Sequence, residues 1–219
     1  SISSSGAAST TFTVFENTTF TGTLAAATSV NSGVTLGISA AKATTKTISG
    51  LGNVSISALH STLAADLTGV TAGGTKTATF GGSATFAGDL GNVSVTVTAG
   101  NTMDTTAAKA NGKSITAAGD ANITITALHS TLSADLSGLA KGSGTITATF
   151  GGTNTFTGVL GLASVSVTTG NTMTISAAKA TGKTITGASG GSGSVIVTAL
   201  DQTLDADVSN VTADTGNSG

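Results

Sequence analysis

An all-β fold, a parallel β-solenoid (β-helix) wound from three repeats of about 70 residues, is what this sequence predicts. Three observations predict it. Blocks of sequence recur at near-constant intervals, apolar residues alternate with Thr or Ser, and large side chains are scarce.

Recurrence is read first, because it sets the meaning of every motif inside it. Ala58-Leu59-His60-Ser61-Thr62-Leu63 returns unchanged at Ala127 to Leu132 and as ALDQTL at Ala199 to Leu204. Other blocks keep step: TFTGTL from Thr19, TFAGDL from Thr85 and TFTGVL from Thr155; AAKA from Ala40, Ala107 and Ala177; TATFGG from Thr77 and Thr147; GNTM from Gly100 and Gly170. The chain therefore divides into a polar lead (1–11), repeats at 12–79, 80–149 and 150–213, and a polar tail (214–219).

Alternation places every second side chain on one face of a strand. The clearest runs are Val93 to Thr98, Ile123 to Thr126, Ser164 to Val167 and Val195 to Val197, with weaker strands in KTATF, ATFAGDL, KSITA and LSADLS. One repeat holds about seven such strands, spaced near ten residues. LGN at 90–92, AGN at 99–101, NGK at 111–113 and TGN at 169–171 supply turn residues that tolerate positive φ. The Ala-rich stretches such as TTAAKA could form a helical turn, but they are too short and too rich in Thr to hold a helix unaided.

Side-chain size then separates the two architectures that fit. Tandem immunoglobulin-like sandwiches pack a core some 10 Å thick, normally with bulky and aromatic residues. Here 219 residues include no Trp or Tyr and 7 Phe, while 27 Ser and 45 Thr make a third of the chain. Narrow solenoid coils, about three per repeat and near 23 residues each, are filled by small branched residues stacked coil on coil. Tandem sandwiches remain the alternative. Disorder is disfavoured because the branched residues recur at fixed positions.

Composition also bounds function. Lys plus Arg is 8, Asp plus Glu is 10, and the net charge is −2. Nucleic acid is not the expected partner, since phosphate binding needs a dense basic surface. The chain has no Cys, which excludes disulfides and Cys-based zinc sites. No apolar run is long enough for a membrane helix, so no membrane insertion is expected, and the start SISSSGAAST does not read as a signal peptide.

Several motifs resemble chemistry. AAKATGKT at 177–184 and AAKANGKS at 107–114 fit a relaxed phosphate-loop pattern, but a strand rather than a helix follows, and the first repeat has Thr45 where Gly belongs. The reading is a turn with its Lys in solvent. His60 and His129 are the only histidines, and Asp201 replaces them in the third repeat, which argues against a His-dependent enzyme. They read as exposed polar residues at a strand end. For metal, the densest oxygen cluster is Asp201, Asp205 and Asp207, with Asp205 and Asp207 on one strand face. Calcium is the ion this cluster would take. No calcium nonapeptide or EF-hand loop accompanies it; GGSGSV at 190–195 lacks the Asp. Five Asn-X-Ser/Thr sequons, at Asn17, Asn53, Asn92, Asn122 and Asn210, are no more than composition supplies.

The cadence of AAKATGKTITG followed by GSVIVTALDQTLDADVSNV, joined by TATFGGTNTFTGVLGLASVSVTTGNTM, resembles the β-strand repeats of bacterial surface-layer proteins and giant cell-surface adhesins. The resemblance implies a secreted, extracellular structural array on the cell surface, part of a longer polypeptide, whose partners are neighbouring repeats or copies of itself. The competing expectation is an adhesin module that recognises a surface glycan. Catalysis is not expected: the chain has no Arg, and its carboxylates and basic residues do not converge in sequence.

Overall fold

The computed structural model describes residues 11–24, 27–188 and 193–212. It is nearly all β, with parallel sheets stacked as a β-solenoid of about nine turns. The predicted solenoid is the observed architecture, and the tandem sandwiches, whose sheets would be antiparallel, are not. The chain forms two compact units, Ser1–Met103 and Asp104–Gly219.

The first unit carries β1 (Thr11–Val14), β2 (Thr18–Phe20), β3 (Ala27–Val30), β4 (Thr35–Ser39), β5 (Ile48–Gly50), β6 (Asn53–Ser57), β7 (Lys76–Phe80), β8 (Ala84–Thr85) and β9 (Ser94–Val97). These strands pair in parallel: β1 pairs β3 and β3 pairs β5, while β2, β4, β6, β7 and β9 pair in succession. Strand β10 (Thr102–Thr106) leads into the second unit, which carries β11 (Ile115–Ala117), β12 (Asn122–Thr126), β13 (Leu139–Lys141), β14 (Ile146–Phe150), β15 (Asn154–Phe156), β16 (Ser164–Val167), β17 (Thr172–Ser176), β18 (Ile185–Gly187), β19 (Ser194–Thr198) and β20 (Val211–Thr212). There β12, β14, β16, β18 and β20 pair in succession, β15 pairs β17, β17 pairs β19, and β11 pairs β13.

Register explains why a lean composition suffices. Apolar residues stand on apolar residues, as in Leu36 beside Val54, Ile38 beside Ile56, Phe80 beside Val97, and Met173 beside Val195. Hydroxyl residues stack on the opposite face, as in Thr79 beside Thr96 and Ser166 beside Thr186. The wider gaps are filled by Phe80, Phe86, Phe150 and Phe156, all fully buried. Each buried Val, Ile or Leu contributes about 1.5–3 kcal/mol, and every coil offers several.

Three local features shape the coils. Each AAKA block forms a one-turn helix, at Ala40–Ala43, Ala107–Ala110 and Ala177–Ala180, with its first and last Ala buried. Propensity alone would not hold so short a helix; burial of two small faces against the coil does. After β6, β12 and β19 the chain enters a short 3-10 turn through Ala58, Ala127 and Ala199, all with φ near +55 to +58°. The Gly of each NGK-type corner has positive φ as expected, +65° at both Gly112 and Gly182, but in the first repeat Thr45 adopts φ +59° itself.

Candidate functional site: corners, histidine turns and uncovered coils

The residues with chemical potential lie at the coil corners. Parallel strands leave backbone groups at the bends, and the adjacent coil satisfies several of them. In the first unit the Thr45 N–H donates to the Asp66 carbonyl at 2.8 Å, and Leu67 N–H donates to the Asp89 carbonyl at 2.8 Å. In the second, Gly112 donates to Asp135, Leu136 to Val159, and Gly182 to Asp207, each at 2.8 Å. The recurring Asp of the ADL/ADV blocks thus serves the corner through its backbone.

The carboxylates of that series are tied down locally. Asp207 Oδ1 accepts from Ser209 Oγ at 2.6 Å and from its N–H at 3.0 Å, and Asp66 Oδ1 accepts from Thr68 Oγ1 at 2.6 Å and its N–H at 3.0 Å. The side-chain and then the backbone bond from Ser209 hold the Asp207 carboxyl below the usual carboxylate range, and Ser137 does the same for Asp135.

This placement corrects the expected strand face of Asp205 and Asp207. Asp201 sits in the 3-10 turn, Asp205 in the turn that follows, and Asp207 in irregular backbone, so Asp205 and Asp207 do not share a strand face. Among the described residues no group of three or more His, Cys, Asp or Glu is gathered to hold a metal ion.

His60 and His129 are not exposed strand ends. Each is half-buried in its 3-10 turn. The Nδ1 atoms accept hydrogen bonds from the N–H groups of Gly81 and Gly151, both at 3.2 Å, which places the ring proton on Nε2. Each ring also stands edge-on to Phe80 or Phe150 with centroids 6.3 Å apart. The paired glycines make room for the imidazole: a Cβ on Gly82 would lie 2.9 Å from His60 Cδ2, and one on Gly152 would lie 3.1 Å from His129 Cβ. These histidines join one coil to the next.

The lysines of the phosphate-loop look-alike are engaged as well. Lys183 Nζ donates to the Gly161 carbonyl at 2.7 Å and Lys179 Nζ to the Gly158 carbonyl at 3.0 Å. The expectation of a Lys in solvent fails because the acceptors belong to the neighbouring coil. Asn53 and Asn122, noted only as sequons, are equally structural: their Oδ1 atoms each accept the N–H of Thr75 or Thr145 at 2.8 Å. Their position at the first residue of β6 and β12 was the available signal.

Core positions lose their cover at two places. Leu59 and Leu128 are 0% exposed, but the equivalent Leu200 is 49% exposed, and Leu204 is 90% exposed against 37% for Leu63. In β1 and β2 the counterparts of buried Phe80 and Phe86, Val14 and Phe20, are half-buried, and Phe15 is 74% exposed. Beside them lies a cavity of about 400 Å³ lined by Phe12, Val14, Phe15, Phe20, Leu24 and Leu36, among others. Thr28 also lines it; this residue is buried, and its hydroxyl has no hydrogen-bond partner among the described residues.

Comparison with protein-family models, curated proteins and solved structures found no match. No helix among the described residues is long and apolar enough to cross a membrane.

Proposed function

We propose that the chain is a structural repeat module of an extracellular, self-assembling bacterial surface protein, a surface-layer or adhesin-stalk element. One observation carries this reading: the polar residues that recur between repeats join coil to coil. His60 and His129 make the same bond, as do Asn53 and Asn122, at the same distances. A catalytic or ligand-binding protein keeps such groups for something outside itself. Here they are consumed by the scaffold, and the outward face is left to rows of Thr and Ser, which suit solvation and mechanical spacing.

Localisation tests the proposal directly. Antibody labelling and protease shaving of intact native cells should find the chain at the surface, and electron microscopy of surface fractions should find it in ordered material. Recovery only from inside the cell, with no labelling of intact cells, would overturn it.

A further inference from the structure

Composition accounts for the number of Asn-X-Ser/Thr sequons, but the fold decides which of them an enzyme can reach. Asn53 and Asn122 open strands β6 and β12, and each spends its side-chain oxygen on the next coil. Oδ1 accepts the Thr75 or Thr145 N–H at 2.8 Å and that residue's hydroxyl at 3.0 or 2.8 Å. The hydroxyl residues of these two sequons lie inside parallel ladders, Ser55 between Gly37 and Thr77, and Thr124 beside Thr147. Asn17 and Asn210 lie in the outermost described coils, where exposure reflects only how far the described chain extends.

Asn92 differs from all four. It stands away from the outermost coils, in a turn that the Val93 N–H closes onto the Leu90 carbonyl at 3.0 Å, with Gly91 at φ +54° just before it. Val93 is buried, so alternation sets Asn92 and Ser94 on the outside together, and both are exposed. The Asn92 side chain makes no hydrogen bond among the described residues. Of the three sequon residues only Ser94, the first residue of β9, belongs to a ladder, where it stands beside Thr77. The amide and the hydroxyl that define the sequon therefore both face solvent, and neither is needed by the scaffold.

We infer that Asn92 is an N-glycosylation site, the acceptor for an oligosaccharide carried on a polyprenyl diphosphate. In the transfer Asn92 Nδ2 attacks the anomeric carbon of the first sugar. A nitrogen–carbon glycosidic bond forms, the bond from that carbon to the diphosphate oxygen breaks, the polyprenyl diphosphate leaves with the electron pair, and the amide gives up one proton. The attached sugar is bulky and solubilising, and at this turn it projects from a coil corner without displacing a bond between coils. The same position in the third repeat is Leu162, so the sugar distinguishes the second repeat from the third. The inference rests on the extracellular reading, because sequons are modified on exported chains.

The placing of the lysines makes the test direct. Cleavage after Lys in the denatured chain puts the sequons at Asn53, Asn92 and Asn122 on separate peptides, 47–76, 77–109 and 114–141. In protein purified from native cells, mass spectrometry should find 77–109 heavier by a series of sugar residues and the other two peptides unmodified. Peptide N-glycosidase should remove the increment and leave a carboxylate at position 92. Ser94→Ala should abolish the increment and Ser94→Thr should keep it, with circular dichroism checking that both variants fold. An unmodified 77–109, equal modification of 47–76 or 114–141, or an increment that survives Ser94→Ala would overturn the inference. An unmodified 77–109 from cells that label at the surface leaves the scaffold reading standing; a modified 77–109 from cells that do not label removes the surface reading alone.

Discussion

Thr45 offers a measurement of backbone strain with built-in controls. It occupies the corner position that Gly112 and Gly182 fill in the other repeats, at φ +59° against +65° for both glycines. All three donate the same 2.8 Å hydrogen bond to the next coil, so hydrogen bonding cancels in the comparison. A Cβ at Gly112 or Gly182 would meet nothing within 4 Å, so steric contact cancels too. What remains is the conformation itself. Left-handed φ costs a residue with a Cβ about 1–2 kcal/mol. Glycine returns about 0.5–1 kcal/mol of that through its freer unfolded chain. Thr45→Gly should therefore stabilise by about 0.5–1 kcal/mol, and Gly112→Thr or Gly182→Thr should destabilise by about as much. For a chain of this length that is a shift of about 1–4 °C in Tm. Urea unfolding followed by circular dichroism reads all three variants. The reasoning is refuted if Thr45→Gly is neutral or harmful while Gly112→Thr costs nothing.

Three further outcomes are expected. Thr28 stands where Val95 and Val165 stand in the other repeats, so Thr28→Val removes an unpartnered buried hydroxyl and should stabilise by about 1–2 kcal/mol in the same assay. Asn53→Ala and Asn122→Ala should each cost about 1 kcal/mol, and Asn→Asp at either site, which keeps the acceptor, should cost less. The folded state holds the Asp207 carboxyl below its ordinary range. Its contribution to stability is therefore present above about pH 4 and lost as the pH falls further. Carbon-detected NMR titration should show this lowering, and Ser209→Ala should move the group back towards the ordinary value; no change on that substitution would remove Ser209 as the cause.

Much of the fold was legible because it depends on properties local to the chain. The alternation in SVTVT-like runs fixed which side chains point inward, and the shortage of bulky residues left no core thick enough for a sandwich. The turn glycines at 91, 100, 112 and 170 were read correctly for the same reason. The misplaced residues share a different property. Lys183, His60 and His129 were assigned to solvent, yet their partners, Gly161, Gly81 and Gly151, lie 21 or 22 residues away. A side chain's fate one coil over is invisible until the coil length is known. The same ignorance put Asp205 and Asp207 on a strand, where the chain in fact runs through a turn and irregular backbone. The exposed Leu204 and half-buried Phe20 were equally out of reach, since their sequence blocks match those of covered positions.

The parallel register has a consequence for how such a gene can change. A one-residue insertion within a strand would turn its Val and Ile outward and its Thr inward, so small frame-preserving indels should be purged wherever β-structure runs. Duplication or loss of a whole repeat does no such harm, because the new seam brings together surfaces that already meet elsewhere in the polypeptide. Unequal recombination can therefore lengthen or shorten this lineage in repeat-sized steps, and reach, rather than shape, is the trait that selection is free to adjust.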